Sequence, residues 1–223
     1  MKISKSFFAA AALVAAVSAN ANAQAIGGLG GLQSGFLNTN APQACTAMSM
    51  CSLTNPVGGA TVATIVGGQS FELDQPFADI PAGVVNQNRF IGSGSTIGNP
   101  LGSTAVMSLN GTYSYISFLW GSPDTNNRLR VFTNLDAVGR TFTASSLVFP
   151  FPITGNQASS AYVNFRTTAA SGEWITRLEF DNSPSFNAFE AANFAVVPEP
   201  STYALMAAGL AALAVAAKRR KQV

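Results

Sequence analysis

Hydrophobic and polar residues alternate along much of the middle of the chain, a pattern typical of strands that bury one face. The alternation is clearest at residues 128–131, 161–166 and 174–180. In the last of these segments, Trp174, Leu178 and Phe180 are predicted to lie together on the buried face, with Glu179 on the solvated face.

Residues 61–66, 141–149 and 189–197 are predicted as further strands from their β-branched and aromatic content. Asn110-Gly111 lies between two apolar stretches, and this dipeptide is a strong signal for a two-residue hairpin turn. No segment before residue 197 combines helix caps with a 3.6-residue period. About eight to ten short strands separated by Gly, Pro and Asn predict an all-β fold, an antiparallel, jelly-roll-like β-sandwich over residues 57–196.

The first 23 residues have the pattern of a signal peptide, which would take the chain into the general secretion machinery. Lys2 and Lys5 precede an apolar run, Phe7 to Val17, that is shorter than the about 20 residues of a membrane span. The small residues around the end of this segment predict cleavage between Ala23 and Gln24. An uncleaved anchor helix is the alternative.

Residues 24–56 are predicted to form a Gly-rich leader that carries both cysteines of the chain, Cys45 and Cys51, and residues 24–40 of it are predicted to be flexible. Outside the cytoplasm a nearby pair of cysteines usually oxidises, so we expect a disulfide between them. Closing so short a loop would stabilise the fold by about 2 kcal/mol on the chain-entropy estimate.

Residues 197–223 have three parts with different physical properties. Val197-Pro198-Glu199-Pro200 is held extended by its two prolines, and residues 203–217 form an uncharged apolar segment. The basic cluster Lys218-Arg219-Arg220-Lys221 follows and is expected to stay in the cytoplasm by the positive-inside rule. The body of the protein would then lie across the membrane, as the signal peptide also predicts.

This C-terminal arrangement resembles the PEP-CTERM sorting signal, with Pro198, Glu199 and Pro200 matching its signature. The resemblance implies that the chain is a substrate of an exosortase, a membrane-embedded cysteine-type enzyme of Gram-negative bacteria that make exopolysaccharide and biofilm matrix. It also implies an inner-membrane intermediate, followed by delivery to the outer cell surface or the extracellular matrix. A simple tail anchor retained in the inner membrane is the alternative.

A second resemblance lies in the middle of the chain. The residues Trp120, Gly121, Ser122, Asp124 and Asn127 match a Trp-Gly-Ser-x-Asp-x-x-Asn segment of a group of exosortase-dependent surface proteins. The match extends over most of residues 113–200. The role of that group is not established, so this resemblance implies class and location only.

Composition and charge exclude some functions. The chain is 48% hydrophobic and only 10% charged, and it contains no histidine. Residues 24–200 hold six arginines, no lysine and all ten acidic residues, which gives a net charge of −4. A nucleic-acid-binding protein would present a basic patch, which is not expected here. Without histidine, Ser-His-Asp and Cys-His catalytic sites are excluded.

Asp124, Asn126 and Asn127 form a candidate calcium site, because calcium prefers side-chain oxygens of this kind. Three such oxygens fall short of the about six ligands that calcium takes. The alternative is a turn in which Asp and Asn bond their own backbone. We expect no other cofactor.

Trp120, Tyr113 and Tyr115 are candidates for stacking on sugar rings, with core packing as the alternative. Three acidic residues cluster in the sequence, Glu173, Glu179 and Asp181, but the pattern does not mark a catalytic pair. We therefore expect a non-catalytic protein with a structural or adhesive role in a biofilm or polysaccharide matrix. A specific carbohydrate-binding module is the alternative, and a secreted hydrolase is the third hypothesis.

Overall fold

The computed structural model describes residues 25–31, 37–40, 42, 49–73, 79–81, 85–94, 104–167, 172–182 and 188–198. In these residues the fold is all-β and antiparallel, as predicted. Its strands are β1 (Ile26–Leu29), β2 (Leu37–Asn38), β3 (Cys51–Thr54), β4 (Thr61–Val66), β5 (Gln69–Glu72), β6 (Arg89–Ser93), β7 (Ala105–Gly121), β8 (Asn127–Thr133), β9 (Arg140–Thr143), β10 (Ser160–Arg166), β11 (Ile175–Asn182) and β12 (Phe189–Pro198). They are joined by one short helix, α1 (Ala144–Leu147), and a 3₁₀ turn at Asn86–Asn88.

The 17-residue strand β7 is the centre of the hydrogen-bonded network. Its first half pairs with β11 on one edge and with β4 on the other. Beyond β11 the sheet continues with β8 and then β9, and beyond β4 it continues with β3. Its second half pairs with β12 on one edge and with β10 on the other. β12 also pairs with β2 and with β6, which in turn pairs with β5, and β10 also pairs with β1. The result is β-sandwich-like; the jelly-roll connectivity stays a prediction.

The core is aromatic, and Phe118 on β7 lies at its centre. The centroid of its ring lies 5.5 Å from those of Phe180 and Phe194 and 5.8 Å from that of Phe165. The next residue, Leu119, points to the other side of β7 and joins a smaller buried cluster with Phe90 and other residues. The second half of β7 is therefore covered on both faces, which explains its almost unbroken apolar sequence.

The strands predicted at residues 61–66, 128–131, 161–166 and 189–197 are confirmed as β4, β8, β10 and β12. The hairpin predicted at Asn110-Gly111 is wrong, since β7 continues through both residues. A type I′ turn requires positive φ at both central positions, and neither residue has it. Instead the dipeptide lies where the pairing with β11 slips, between Ser108↔Arg177 and Tyr113↔Ile175.

The prediction that Trp174 lies on the buried face is wrong because of the same irregularity in pairing. The register shift between Ile175 and Arg177 changes the phase of β11, so Ile175 joins Leu178 in the core, while Trp174 is only half-buried. A period-two pattern cannot reveal such a bulge, because the extra residue appears only against the partner strand.

The strand predicted at residues 141–149 is wrong beyond Thr143. There the chain turns into α1, whose N-terminus is closed by a capping box: the Thr143 hydroxyl accepts from the Ser146 amide, and the Ser146 hydroxyl accepts from the Thr143 amide. These reciprocal hydrogen bonds satisfy backbone amides that have no partner within the helix. The stabilisation of the helix start offsets the strand propensity of the segment.

The flexible leader predicted for residues 24–40 is wrong for the described part of that segment, because β1 pairs with β10 and β2 pairs with β12. Further along the Gly-rich segment, β3 pairs with β4. A Cβ on Gly27 would lie 2.8 Å from ring atoms of Phe142 and Phe165, and one on Gly31 would lie 2.7 Å from the Tyr162 ring. These glycines allow close packing, so they do not mark a linker.

Within the described residues, no helix is long and apolar enough to cross a membrane. The predicted signal peptide, including Ala23 and Gln24, lies outside the described residues, as do the apolar segment 203–217 and the basic cluster 218–221. Cys51 is buried at the start of β3, but Cys45 lies outside the described residues, so the disulfide stays a prediction.

Candidate functional site

The predicted sorting segment begins inside the last strand of the fold. In β12, Val197 pairs with Tyr115 and Pro198 pairs with Tyr113 of β7. Glu199 and Pro200 lie outside the described residues. The segment therefore starts directly on the β-domain, with no linker between the last strand and the two prolines.

Pro198 lies where the regular pairing of β12 ends. The register with β7 shifts between Val197 and Pro198. Proline cannot donate to the ladder and is confined to strand edges, ends and bulges, so it suits this position. Val196, two residues before Pro198, is 1% exposed and belongs to the core, which fixes the start of the segment to the folded body.

The turn between β7 and β8 contains the three candidate calcium ligands. Asp124 Oδ1 accepts hydrogen bonds from the backbone amides of Asn126 at 2.6 Å and Asn127 at 2.9 Å. Asn127 Oδ1 accepts from the Asp124 amide and from Trp120 Nε1, both at 3.1 Å. These oxygens bond the turn itself, so the geometry favours the turn interpretation over calcium. No cluster of three His, Cys, Asp or Glu side chains with metal-binding geometry occurs in the described residues.

The aromatic residues proposed for sugar stacking lie mostly in the core. Trp120 is completely buried, and its ring stacks on Phe189 at a centroid distance of 4.3 Å. Tyr113 is 9% exposed and packs with the same core. Trp120 and Tyr113 are therefore wrong as stacking residues, because the core covers their rings. Tyr115 is half-buried.

Glu190 on β12 is a buried carboxyl group that sequence reasoning missed, and its only signal is one acidic residue in an apolar run. Glu190 is 1% exposed, and the Ser122 hydroxyl donates a 2.6 Å hydrogen bond to its Oε2. Burial raises the pKa of Glu190 well above its ordinary value, and the nearby carboxylates of Asp124 and Asp79 raise it further. The Ser122 hydrogen bond acts in the opposite direction without cancelling the effect of burial.

The three acidic residues clustered in the sequence fall into two environments. Glu173 is buried and accepts a 2.9 Å hydrogen bond from the Thr133 hydroxyl. Glu179 lies on the outer face of β11, where it forms ion pairs with Arg130 and Arg177, and Asp181 lies two residues further along that face. Glu173 thus has a structural partner inside the fold, whereas Glu179 and Asp181 line a polar groove.

Comparison with known proteins identifies the C-terminal segment. Residues 196–221 match the family model described as the PEP-CTERM protein-sorting motif. No curated protein and no solved structure matches the chain. The match begins at Val196 in the core of β12 and includes the two prolines, the apolar segment and the basic cluster.

Proposed function

We propose that this chain has a non-catalytic structural or adhesive role in a biofilm or exopolysaccharide matrix. As a PEP-CTERM protein it is exported in an exosortase-dependent way and passes through a membrane-anchored intermediate. The observation that carries the proposal is the direct continuation of strand β12 into the sorting motif. A sorting event at that motif would deliver the whole β-domain as one unit. Its proposed destination is the outer cell surface or the extracellular matrix.

The described surface supports a passive role rather than catalysis. Glu173 is buried and accepts a hydrogen bond from Thr133, and Glu179 forms ion pairs with Arg130 and Arg177. A glycosidase uses two carboxyl groups that flank one scissile bond. Glu190, the carboxyl group whose pKa is raised, is only 1% exposed and so does not face a polysaccharide at the surface. The surface is also poor in charge, so weak hydrogen bonds to polysaccharide would require little desolvation of ions.

Truncation after Pro198 tests the sorting part of the proposal, since it keeps the described β-domain and removes the rest of the motif. We expect the complete chain in the matrix fraction and the truncated chain in the periplasm. A chain that lacks only Gln222 and Val223 is the matched control, because it keeps the prolines, the apolar segment and the basic cluster. Equal delivery of the truncated chain to the matrix would refute the proposal.

Loss of the gene tests the structural role separately. We expect a strain without this protein to form a matrix that disperses more easily under shear, and complementation with the complete chain to restore cohesion. Unchanged cohesion, with the protein normally present in the matrix, would contradict the structural role without affecting the sorting claim.

A specific carbohydrate-binding module is the second candidate. The aromatic residues first considered for this function are mostly buried, but the polar groove on β8 and β11 offers a different location.

A further inference from the structure

A cavity of about 190 Å³ opens on the solvent side of β8, β9 and β11. Charged and hydroxyl-bearing side chains line it: Thr104, Arg128, Arg130, Thr141, Glu179 and Asp181. It is smaller than the about 300–1,000 Å³ of sites for drug-sized ligands, so it suits one small unit of a longer molecule.

Strand register builds this polar groove. Arg128 lies opposite Asp181, and Arg130 lies opposite Glu179 across the β8–β11 pair. The alternating residues Leu129 and Phe180 point into the core and are at most 1% exposed. Because successive side chains of a strand point to opposite faces, burial of these apolar residues forces the charged ones outward into one patch.

The groove presents donors and acceptors side by side. Arg130 Nη1 lies 3.6 Å from Glu179 Oε2, and the Nε of Arg177, a residue outside the lining, lies 3.3 Å from Glu179 Oε1. Guanidinium groups only donate hydrogen bonds and carboxylates only accept them, whereas the threonine hydroxyls at the rim can do both. The lining therefore offers both types of partner within one cavity.

The charges of the lining also restrict the ligand. Two arginines face two carboxylates in the lining, so these four groups have no net charge, and Arg177 contacts Glu179 from outside the lining. An anionic ligand would meet Glu179 and Asp181, and a cationic ligand would meet the two arginines. Adjacent hydroxyl groups match the lining better, because one can accept from a guanidinium while its neighbour donates to a carboxylate. Pairs of this kind occur on the rings of uncharged sugars.

We propose that the groove between β8 and β11 binds one sugar unit of a neutral polysaccharide, with Arg128 donating to one ring hydroxyl and Asp181 accepting from its neighbour. This inference rests on the proposed function in one respect only: the ligand is expected to come from a polysaccharide matrix. The binding itself can be measured on the purified chain, whether or not sorting proceeds as proposed.

Native gel electrophoresis of the complete chain in mild detergent tests the binding, with dextran, galactomannan, hydroxyethyl cellulose or alginate cast into the gel. We expect at least one of the three neutral polysaccharides to retard the chain, and alginate, a polyuronate, to retard it less. Arg128→Ala and Asp181→Ala should each weaken retardation at least about tenfold, since each removes a hydrogen bond between the sugar and a charged group.

Arg166→Ala is the matched control, because Arg166 is an exposed arginine on β10 and does not line the groove. It should leave retardation unchanged. Unfolding curves of all variants confirm that each is folded before binding is compared. Three results would overturn the inference: no retardation by any neutral polysaccharide, retardation that survives both groove substitutions, or retardation by alginate alone. Mislocalisation of the truncated chain would still support the sorting claim in each case.

Discussion

At the scale of residues, the segment Trp120 to Asn127 joins two strands through its own side chains. Trp120 fills the core with its ring and donates from Nε1 to Asn127. Gly121 lets the backbone pass close to Ile80, since a Cβ there would lie 2.4 Å from Ile80 Cγ1. Ser122 adopts a positive φ of 31° and bonds Glu190. The Trp-Gly-Ser-x-Asp-x-x-Asn pattern thus has a structural explanation at each of these positions.

Asn127→Ala should strongly destabilise the domain. The Asn127 side chain is completely buried and satisfies two donors, Trp120 Nε1 and the Asp124 amide. A buried donor left unpaired costs about 1–3 kcal/mol, so the loss of a partner for both donors should lower the free energy of unfolding by about 2–6 kcal/mol. Denaturant unfolding measures it, and Asn126→Ala, from the same turn, should cost much less. Equal losses for the two variants would contradict the structural role of Asn127.

The pH dependence of stability should depend on Glu190. Folding raises the pKa of this carboxyl group, so the folded state holds its proton more tightly than the unfolded state. The resulting stabilisation is fully present below about pH 4.5, the ordinary pKa, and is lost as the pH rises through the pKa of the folded state. We therefore expect the domain to lose stability as the pH rises from mildly acidic values.

Glu190→Gln tests this expectation, because the neutral amide imitates the protonated acid. Denaturant unfolding across this pH range should give a flatter profile for the variant and a stability advantage that grows with pH. Glu72→Gln, which removes an exposed carboxylate paired with Arg89, serves as the control and should keep the slope of the unchanged chain. Parallel profiles for Glu190→Gln and the unchanged chain would show that Glu190 does not titrate as described.

At the scale of elements, alternation identified strands that bury one face, including β8 and β10, and β-branched content identified β4. These local patterns failed where pairing between distant strands decides the local structure. Asn110-Gly111 stays extended because β4 and β11 flank that half of β7, and Trp174 leaves the core because of a bulge in β11. The polar groove could not be predicted from the sequence for the same reason, since Arg128 and Asp181 lie opposite each other only through the register of β8 and β11.

The glycines of β1 provide a test at this scale. Gly27→Ala should lower the free energy of unfolding by about 1–3 kcal/mol, because its Cβ would overlap the Phe142 and Phe165 rings and force them apart. Gly28→Ala, the next residue of the same strand, would meet only the Asn164 side chain at 3.7 Å and should have little effect. Thermal unfolding compares the two. Equal effects would mean that β1 does not pack tightly on β10.

At the scale of the whole molecule, a β-domain is joined directly to a sorting address. The sorting motif could be identified from the sequence because its parts follow one another along the chain: prolines, an apolar segment and a basic cluster. The sequence also predicted the join, since the strand predicted at residues 189–197 ends on the first residue of the sorting segment. The pairing of Val197 with Tyr115, which holds that residue against β7, required the structure. Sorting therefore acts on a segment whose first residues are held by the fold.

An epitope tag placed after Val223 tests the central claim of exosortase-dependent export most directly. In cells with the exosortase, we expect the exported chain to have lost the tag. In otherwise identical cells without the enzyme, we expect the tagged chain to remain in the inner-membrane fraction. A tagged chain found outside the cell, or equal loss of the tag in both strains, would contradict the account.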